Sequence, residues 1–587
     1  MAHARRLGRL VALLLLSVPL KNAVGQNYDR YAPRNLNDSK IENRSQEIPA
    51  PDLDDVTGDD RVLVESLDAV VVVDQKEKVS RSPDIDSLEG IHYQFDAADS
   101  LVFQTGFQNI IHRYIGQPIT LRRLNEMVRE AIVYYRNCKQ PIVDIQIPEQ
   151  RITGGTVHLI VIETRIESVI VQPGCYFDCD EISKWIACTR SGDRVYEPNL
   201  ESDLLWMSQN PFRRVSVDFQ KGTSPGTTDV IYKVNDVRPL RGYVGGDDTG
   251  VQSLNYGRFF GGLTYGNLFN RGGTLGYQFT TDEEFALLKA HAVSYNQPLN
   301  RCWSFQSYGS WAGVSPVVGF GLLQDGESWQ LGAGFARHLI RNRCESANLV
   351  FGVDFKSTDN NLEFAGNTIA GSNADLFQIR IGYDHYWRGC CADDYSLARL
   401  DMYVGPGGGM TGAHSATAFN SIRPATSPDY VYARMVLEDS RHVGDHVQLV
   451  GRLTAQTASE RLLFSETLGL GGFDTLRGYD QRAFNGDHGW IANFELGPRT
   501  RRWGYQDNLR VLRPYVFFDF ANGYIDDPLA GEDAYTFAMT TGFGTRFQIS
   551  DRLIARFDYG FGVRDMDATT RNDRAHFGVT WIPGPRP

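Results

Sequence analysis

Two textures divide the chain. Between residues 62 and 237, apolar positions alternate over short runs and recur at helical spacing between them. From Leu240 helical spacing stops, and short alternating segments rich in glycine and aromatics continue to the end. In the first part, VLVESLDAVVVVD (62–74) predicts a β-branched strand. Gln104 to Gly116 and Leu121 to Asn137 predict helices, the second with Leu124, Val128, Ile132 and Val133 as its apolar positions. IVDIQIP and GTVHLIVIE then give two strands across the turn signal TGG, an order β-α-α-β-β. The order repeats at once. RIESVIVQ is a strand, CDEISKWIAC and PNLESDLLWMSQN are helical, and RRVSVDF and DVIYKVND are strands. Pro198 and Asn199 mark a helix start, and Pro211 follows the second helix end. A polar stretch, 75–98, interrupts the first copy. Residues 26–60, polar with scattered Pro, Asn and Asp, read as a flexible leader without a clear amphipathic helix.

The second texture predicts a transmembrane β-barrel. In RLIARFDYGFGVR, Leu553, Ala555, Phe557, Tyr559, Phe561 and Val563 share one face, while Arg556, Asp558, Gly560 and Gly562 share the other. YTFAMTTGFGTRFQI and RAHFGVTW repeat this arrangement, with Phe537, Phe543, Phe577 and Val579 among the apolar positions. An apolar outer face and an inner face of glycine, threonine and charge distinguish a membrane barrel from a soluble β-sandwich. Sixteen candidate strands follow Arg241. Short turns such as 270–273 and 550–551 alternate with longer connections such as 411–429 and 460–489, the asymmetry of inner turns and outer loops. By that count 460–489 is the sixth outer loop, between the eleventh and twelfth strands.

Composition adds an address. The N-terminus, MAHARRLGRLVALLLLSVPLKNAVGQ, has arginines, an apolar run from Leu10 to Leu20, and small residues before Gln26. This is a secretory signal peptide pattern over 1–25, and no later run is apolar for long enough to form a spanning helix. A net charge of −12 argues against a nucleic-acid partner. Cys175, Cys179 and Cys188 lack zinc spacing and an accompanying histidine, so no metal is expected and disulfides are the better reading. Cys302, Cys344, Cys390 and Cys391 fall at or beside predicted inner turns, facing an oxidising compartment, and at least one bridge is expected among them. No GxxxxGK[ST] loop, nucleophile elbow or zincin spacing is present, so neither a cofactor nor catalysis is expected.

The candidate site is the sixth loop. Leu468 to Gly489 reads LGLGGFDTLRGYDQRAFNGDHG, where Gly469, Gly471 and Gly472 permit turns that a Cβ resists. Arg477 is the one cation of the tetrapeptide Leu476-Arg477-Gly478-Tyr479. A solvated glycine-rich loop is the plain reading of that tetrapeptide alone. In RPYVFFDFANGY, Phe518 and Phe520 face lipid by alternation, so Asp519 faces the lumen, where a lone carboxylate is costly unless paired.

The repeated β-α-α-β-β units resemble polypeptide-transport-associated (POTRA) domains, the second ending in SQNPFRRVSVDFQKG and GTTDVIYKV. With the signal peptide, the barrel and LRGY in the sixth loop, residues 60 to 587 resemble the two-partner secretion transporters of the outer membrane, the haemolysin secretion/activation type (TpsB). The resemblance implies domains at 61–164 and 165–238 in the periplasm and a barrel over 239–587. It also implies a loop folded into the pore whose Arg477 engages Asp519 on the wall. It implies export of an unfolded secreted partner, β-helical in such systems, received at POTRA sheet edges. Outer-membrane lipid and the barrel assembly machinery are the other implied partners. The same parts occur in barrel assembly factors, which more often carry several POTRA domains. The chain departs from the family in lacking a recognisable plug helix before residue 60, in its inserted stretch 75–98, and in ending WIPGPRP instead of on an aromatic.

Overall fold

The structure is a computed structural model. It describes residues 31–34, 48–49, 56–79, 88–150, 152, 154–316, 322–364, 367–389, 393–504, 509–550, 552–564, 566 and 573–583. The signal-peptide reading falls outside them.

In the first α+β unit, the helix Leu121–Asn137 is set by Thr120, whose side chain caps it by accepting from Arg123 N at 3.2 Å. Its buried face is Leu124, Met127, Ala131 and Tyr135. The predicted face is therefore rotated by part of a turn, and Val133 stays exposed. Met and Tyr fill the space that β-branched residues on the flank do not reach. The sheet order is 90–94, 69–73, 156–163, 143–146, with the first two pairings parallel and the last antiparallel. The polar insertion thus supplies a fourth strand, Gly90–Gln94, on an edge where the second unit has none. The predicted single strand over 62–74 is two: Val62–Val64 pairs with Ile119–Thr120, and Ala69–Val73 enters the main sheet.

The second unit has a three-stranded sheet, 165–172, 227–236, 213–221, with helices Cys179–Ser183 and Glu197–Met207. Its cap is Asp203, fully buried, which accepts from the backbone N–H groups of Ala187 and Cys188 (both 3.1 Å) and Thr189 (2.9 Å). Arg301, from a barrel turn, adds an ion pair to Asp203 and a bond to the Trp185 carbonyl. Trp206 stacks on Trp185 and lies 4.6 Å under the guanidinium of Arg341, and Glu201 meets Arg343 at 3.0 Å. Asn210 reaches the Gly272 carbonyl at 2.9 Å. The unit is docked on the barrel rim by cations from two periplasmic turns and by the Gly272 carbonyl of a third. Asp203→Ala removes the acceptor of three amides at once and should expose 184–190 to hydrogen exchange, at about 1–3 kcal/mol for each buried donor left unsatisfied. Arg301→Ala leaves those amides satisfied, so exchange should rise at the rim and not within 187–189.

Sixteen antiparallel strand positions close the barrel. In order they are 240–247, 258–268, 273–282, 288–298, 303–314, 322–341, 345–364, 367–388, 395–406, 429–443, 447–458, 488–503, 510–524, 535–549, 553–562 and 573–581, the twelfth interrupted at 499–500. The first and last meet over Val244↔Trp581 to Asp247↔Gly578. Phe259, Leu331, Phe335, Phe351, Leu400, Phe543 and Phe577 are exposed on the outside, while Gln278, Asp354, Gln378, Asp401, Asp519 and Asp558 are buried within. This inverted polarity, with every strand paired, is what a bilayer requires of a sheet. The 269–272 turn lies against the second α+β unit and the 407–428 and 459–487 loops lie at the other end, so the inner/outer assignment follows the docking.

One expectation is corrected here. The leader is seated at both ends: Tyr31 is helical and buried against Leu288, Ala290, Ala292 and Ala312 inside the barrel. Arg34 bonds Asp247 at 2.9 Å and the Tyr243 hydroxyl at 2.8 Å. At the far end Asp60 pairs with Arg122 at 2.8 Å. A polar segment reads as unable to fold because it lacks apolar residues, but a polar lumen offers it partners. Of the four cysteines expected to supply a bridge, Cys302 and Cys344 are free thiols. They begin the fifth and seventh strands with the sixth between them, about 9.5 Å away at two strand spacings, beyond disulfide reach. Cys390 and Cys391 lie outside the described residues. Cys138, Cys175, Cys179 and Cys188 are likewise free.

Candidate functional site

The sixth outer loop folds into the barrel. Leu468–Leu470 pairs antiparallel with Phe484–Gly486, forming a hairpin that carries the LRGY tip down to the middle of strands thirteen to fifteen. Gly471 and Gly472 turn the chain with φ of +106° and +111°, a region closed to most side chains. Leu468, Leu470, Leu476 and Tyr479 pack with Ile491, Ala521 and Ala538 of the wall. At Gly478 a Cβ would stand 2.5 Å from Gly562 N, and at Gly560 a Cβ would stand 2.5 Å from the Arg477 carbonyl. Glycines on both surfaces are what let the loop lie on the strand backbone.

Arg477 is 3 % exposed. Its Nη2 and Nε donate to the two oxygens of Asp519 at 2.7 and 3.0 Å, and its backbone N–H adds a third bond at 3.2 Å. Nη1 reaches Glu495 at 2.7 Å and Asp558 at 3.5 Å, and the guanidinium lies 3.7 Å from the Phe517 ring centre. Asp519 also accepts from Asn493 at 2.9 Å and Thr540 at 2.9 Å. The structure therefore brings the two predicted residues together and adds two carboxylates. These carboxylates are shared: Arg513 meets Glu495, and Arg546 meets Asp558 at 2.8 Å. Asp558 was readable as lumen-facing from alternation; Glu495 lies in WIANFELGP, where nothing in the sequence marks it as a partner.

Other ties of the loop escaped sequence reading because their partners lie in distant loops. Arg423, 1 % exposed at the end of helix Ala416–Ile422, bonds Asp487 at 2.6 and 3.1 Å. Asp487 also accepts from Leu462 N and Asp526 N, both at 3.0 Å, so one carboxylate joins the fifth, sixth and seventh outer loops. Arg461, equally buried, pairs with Glu532 at 2.8 Å. Nearer the loop's root, Glu466 meets Lys356 at 2.7 Å. Below the loop, a cavity of about 1040 Å³ runs from Gln209–Phe212 of the second α+β unit up past Asp354, Arg380 and Arg434 to Thr475. Among the described residues no cluster of His, Cys, Asp and Glu could hold a metal. The geometry anchors a loop in a pore.

Similarity to known proteins agrees with this arrangement. The profile of the ShlB-type POTRA domain matches residues 91–164. The chain is 22 % identical over 424 residues to the heme/hemopexin transporter protein HuxB of Haemophilus influenzae, covering 71 % of this chain and 72 % of the relative. It is 22 % identical over 396 residues to the outer membrane transporter CdiB of Dickeya dadantii, covering 65 % and 67 %. In fold it matches CdiB from Escherichia coli with a TM-score of 0.61 at 16 % identity over 94 % of both chains. BamA from Haemophilus ducreyi, lacking POTRA domains 1–3, matches at 0.53 and 12 % identity over 83 % of this chain and 98 % of that one. At 16 % and 12 % identity these matches show the fold alone. The family profile matches residues 226–547, from the end of the second α+β unit through the sixth loop, Glu495 and Asp519, and the chain belongs to the haemolysin secretion/activation protein family, ShlB/FhaC/HecB.

Proposed function

We propose that this outer-membrane transporter receives its secreted partner as an extended chain on POTRA sheet edges and passes it through the barrel as the sixth loop leaves the pore. The observation that carries this reading is the cavity that joins the docked second unit to the lumen. Its lower lining is Gln209, Asn210, Pro211 and Phe212, and its roof is the loop held by Arg477. The open edges are 90–94 and 143–146 in the first sheet and 165–172 and 213–221 in the second. An added strand gains main-chain hydrogen bonds from any sequence, which suits an unfolded cargo. A β-helical partner would fold on emerging, and that folding can supply direction where no nucleotide is available. Phe-rich outer positions make lipid a solvent for the barrel, and the barrel assembly machinery is the inferred route of insertion. No step in this scheme needs an enzymatic residue.

Deletion of 60–237 tests the proposal. Secretion of the partner into the medium, followed by immunoblot, should cease, while the barrel remains in the outer membrane and keeps heat-modifiable mobility. Export that continues without these residues would reduce the two units to spacers.

A further inference from the structure

The sixth loop is tied to two separate sectors of the wall. Arg477 engages strands twelve, thirteen and fifteen. Eleven residues earlier Glu466, 2 % exposed, accepts from Lys356 Nζ at 2.7 Å, the Tyr432 hydroxyl at 2.7 Å and Gln378 Nε2 at 3.3 Å, on strands seven, ten and eight. The Glu466 carbonyl accepts from Gln456 at 3.0 Å and Arg434 at 3.3 Å. Gln378 is itself oriented by Tyr430, whose hydroxyl donates to its oxygen at 3.0 Å. A carboxylate this deeply buried is costly unless cation and donors converge on it. Here they do, and all three come from strands seven, eight and ten, a sector of the wall separate from the Arg477 site. Lys356, Gln378 and Tyr432 converge on this carboxylate, while Gln378 also donates to Asp354 at 3.3 Å and Tyr432 stacks on Tyr403.

We propose that Glu466 is a second pin, a positioning residue that fixes the root of the loop to strands seven, eight and ten. The loop then crosses the lumen as a brace between two sectors of the wall, and the pore is closed only while both pins hold. The inference rests on reading the loop as the movable closure of an export pore, and it adds where that closure is hinged. Arg477 alone could hold the tip in place. With the root released, the 468–486 hairpin would lose its angle to the wall and the tip its register over Gly560.

Planar-bilayer recordings of the purified full-length chain test this without cargo. The variants are Glu466→Gln, Lys356→Met, Arg477→Ala, and the exchange of Glu466→Lys with Lys356→Glu, each confirmed as a heat-modifiable barrel. Glu466→Gln and Lys356→Met should each raise open probability about tenfold or more with Arg477 intact, the least expected for losing a hydrogen bond to a charged group. The exchange variant should return toward wild type, which loss of packing alone would not produce. If Arg477→Ala opens the pore while Glu466→Gln and Lys356→Met stay as quiet as wild type, the second pin is wrong and the closure reading survives. If all of them, Arg477→Ala included, stay closed, the closure reading fails and the inference with it.

Discussion

Arg477→Ala should stop export while leaving the barrel in the outer membrane at near-normal amounts. The substitution strands the carboxylates unequally. Glu495 keeps Arg513, and Asp558 keeps Arg546 and the Tyr515 hydroxyl at 2.5 Å. Asp519, fully buried, keeps only Asn493 and Thr540, and among the described residues Arg477 is its one cation. An uncompensated buried charge costs roughly 3–5 kcal/mol, or about two to four orders of magnitude in the loop's positional equilibrium. Strand pairing elsewhere is untouched, so the loop loses its seat and the barrel keeps its fold. Asp519→Ala should be milder, because Arg477 retains Glu495. Arg477→Lys should not rescue, since an ammonium cannot span both Asp519 oxygens and Glu495 together. The Arg477→Ala/Asp519→Ala double variant should secrete little worse than Arg477→Ala. Secretion assayed in the medium decides this: additive losses, or wild-type export from Arg477→Ala, would mean the contact does not position the loop.

Asp487→Ala should open the outer surface to trypsin. Asp487 has no exposed surface and gathers Arg423, Leu462 N and Asp526 N from three loops. Its loss leaves Arg423 buried without its carboxylate and leaves two amides without an acceptor. By the same 3–5 kcal/mol estimate the loops should part about a hundredfold more often or beyond. Cleavage follows the open population when closing is fast, so digestion of intact cells should cut after Arg461, beside the Leu462 amide that Asp487 holds, faster by a similar factor. Asp487→Asn should fall between the two, since it keeps one acceptor and loses the charge. A rate equal to wild type would show that the loops are held elsewhere, with Arg461–Glu532 the next pair to remove. The Arg477 site lies below this cap and should remain seated.

Much of this was legible because β-strands in a bilayer leave a two-residue rhythm. Phe518-Asp519-Phe520 points its middle residue inward whatever the rest of the chain does, and Phe557-Asp558-Tyr559 does the same. LRGY stands out because its glycine neighbours serve a close approach that only glycine permits. Glu495 keeps the same rhythm between Phe494 and Leu496, but its cations were not legible, and Glu466 was not legible at all. Each is an ordinary carboxylate whose meaning comes from a cation more than fifteen residues away, and one sequence holds no record of that pairing. Arg423 and Asp487 sit in loops, where no period assigns a face. Gly90–Gln94 was too short and too polar to separate from the stretch around it, and the pairing that makes it a strand comes from Ala69–Val73. The leader misled for the opposite reason: its composition predicts what a free chain does in water, and Tyr31 and Arg34 have the barrel wall to bind.

That seat has a consequence for the order of assembly. Tyr31 rests on strands four and five, and Arg34 on strands one and two, where it covers Phe260 at 4.5 Å and bonds Asp247. Asp247 lies at the closing seam and also approaches Arg556 of the fifteenth strand at 3.7 Å. The seat of residues 31–34 is therefore built by strands one to five and abuts the seam that closes the barrel. Their protection from protease should report that these five strands have assembled, whether or not the seam has closed.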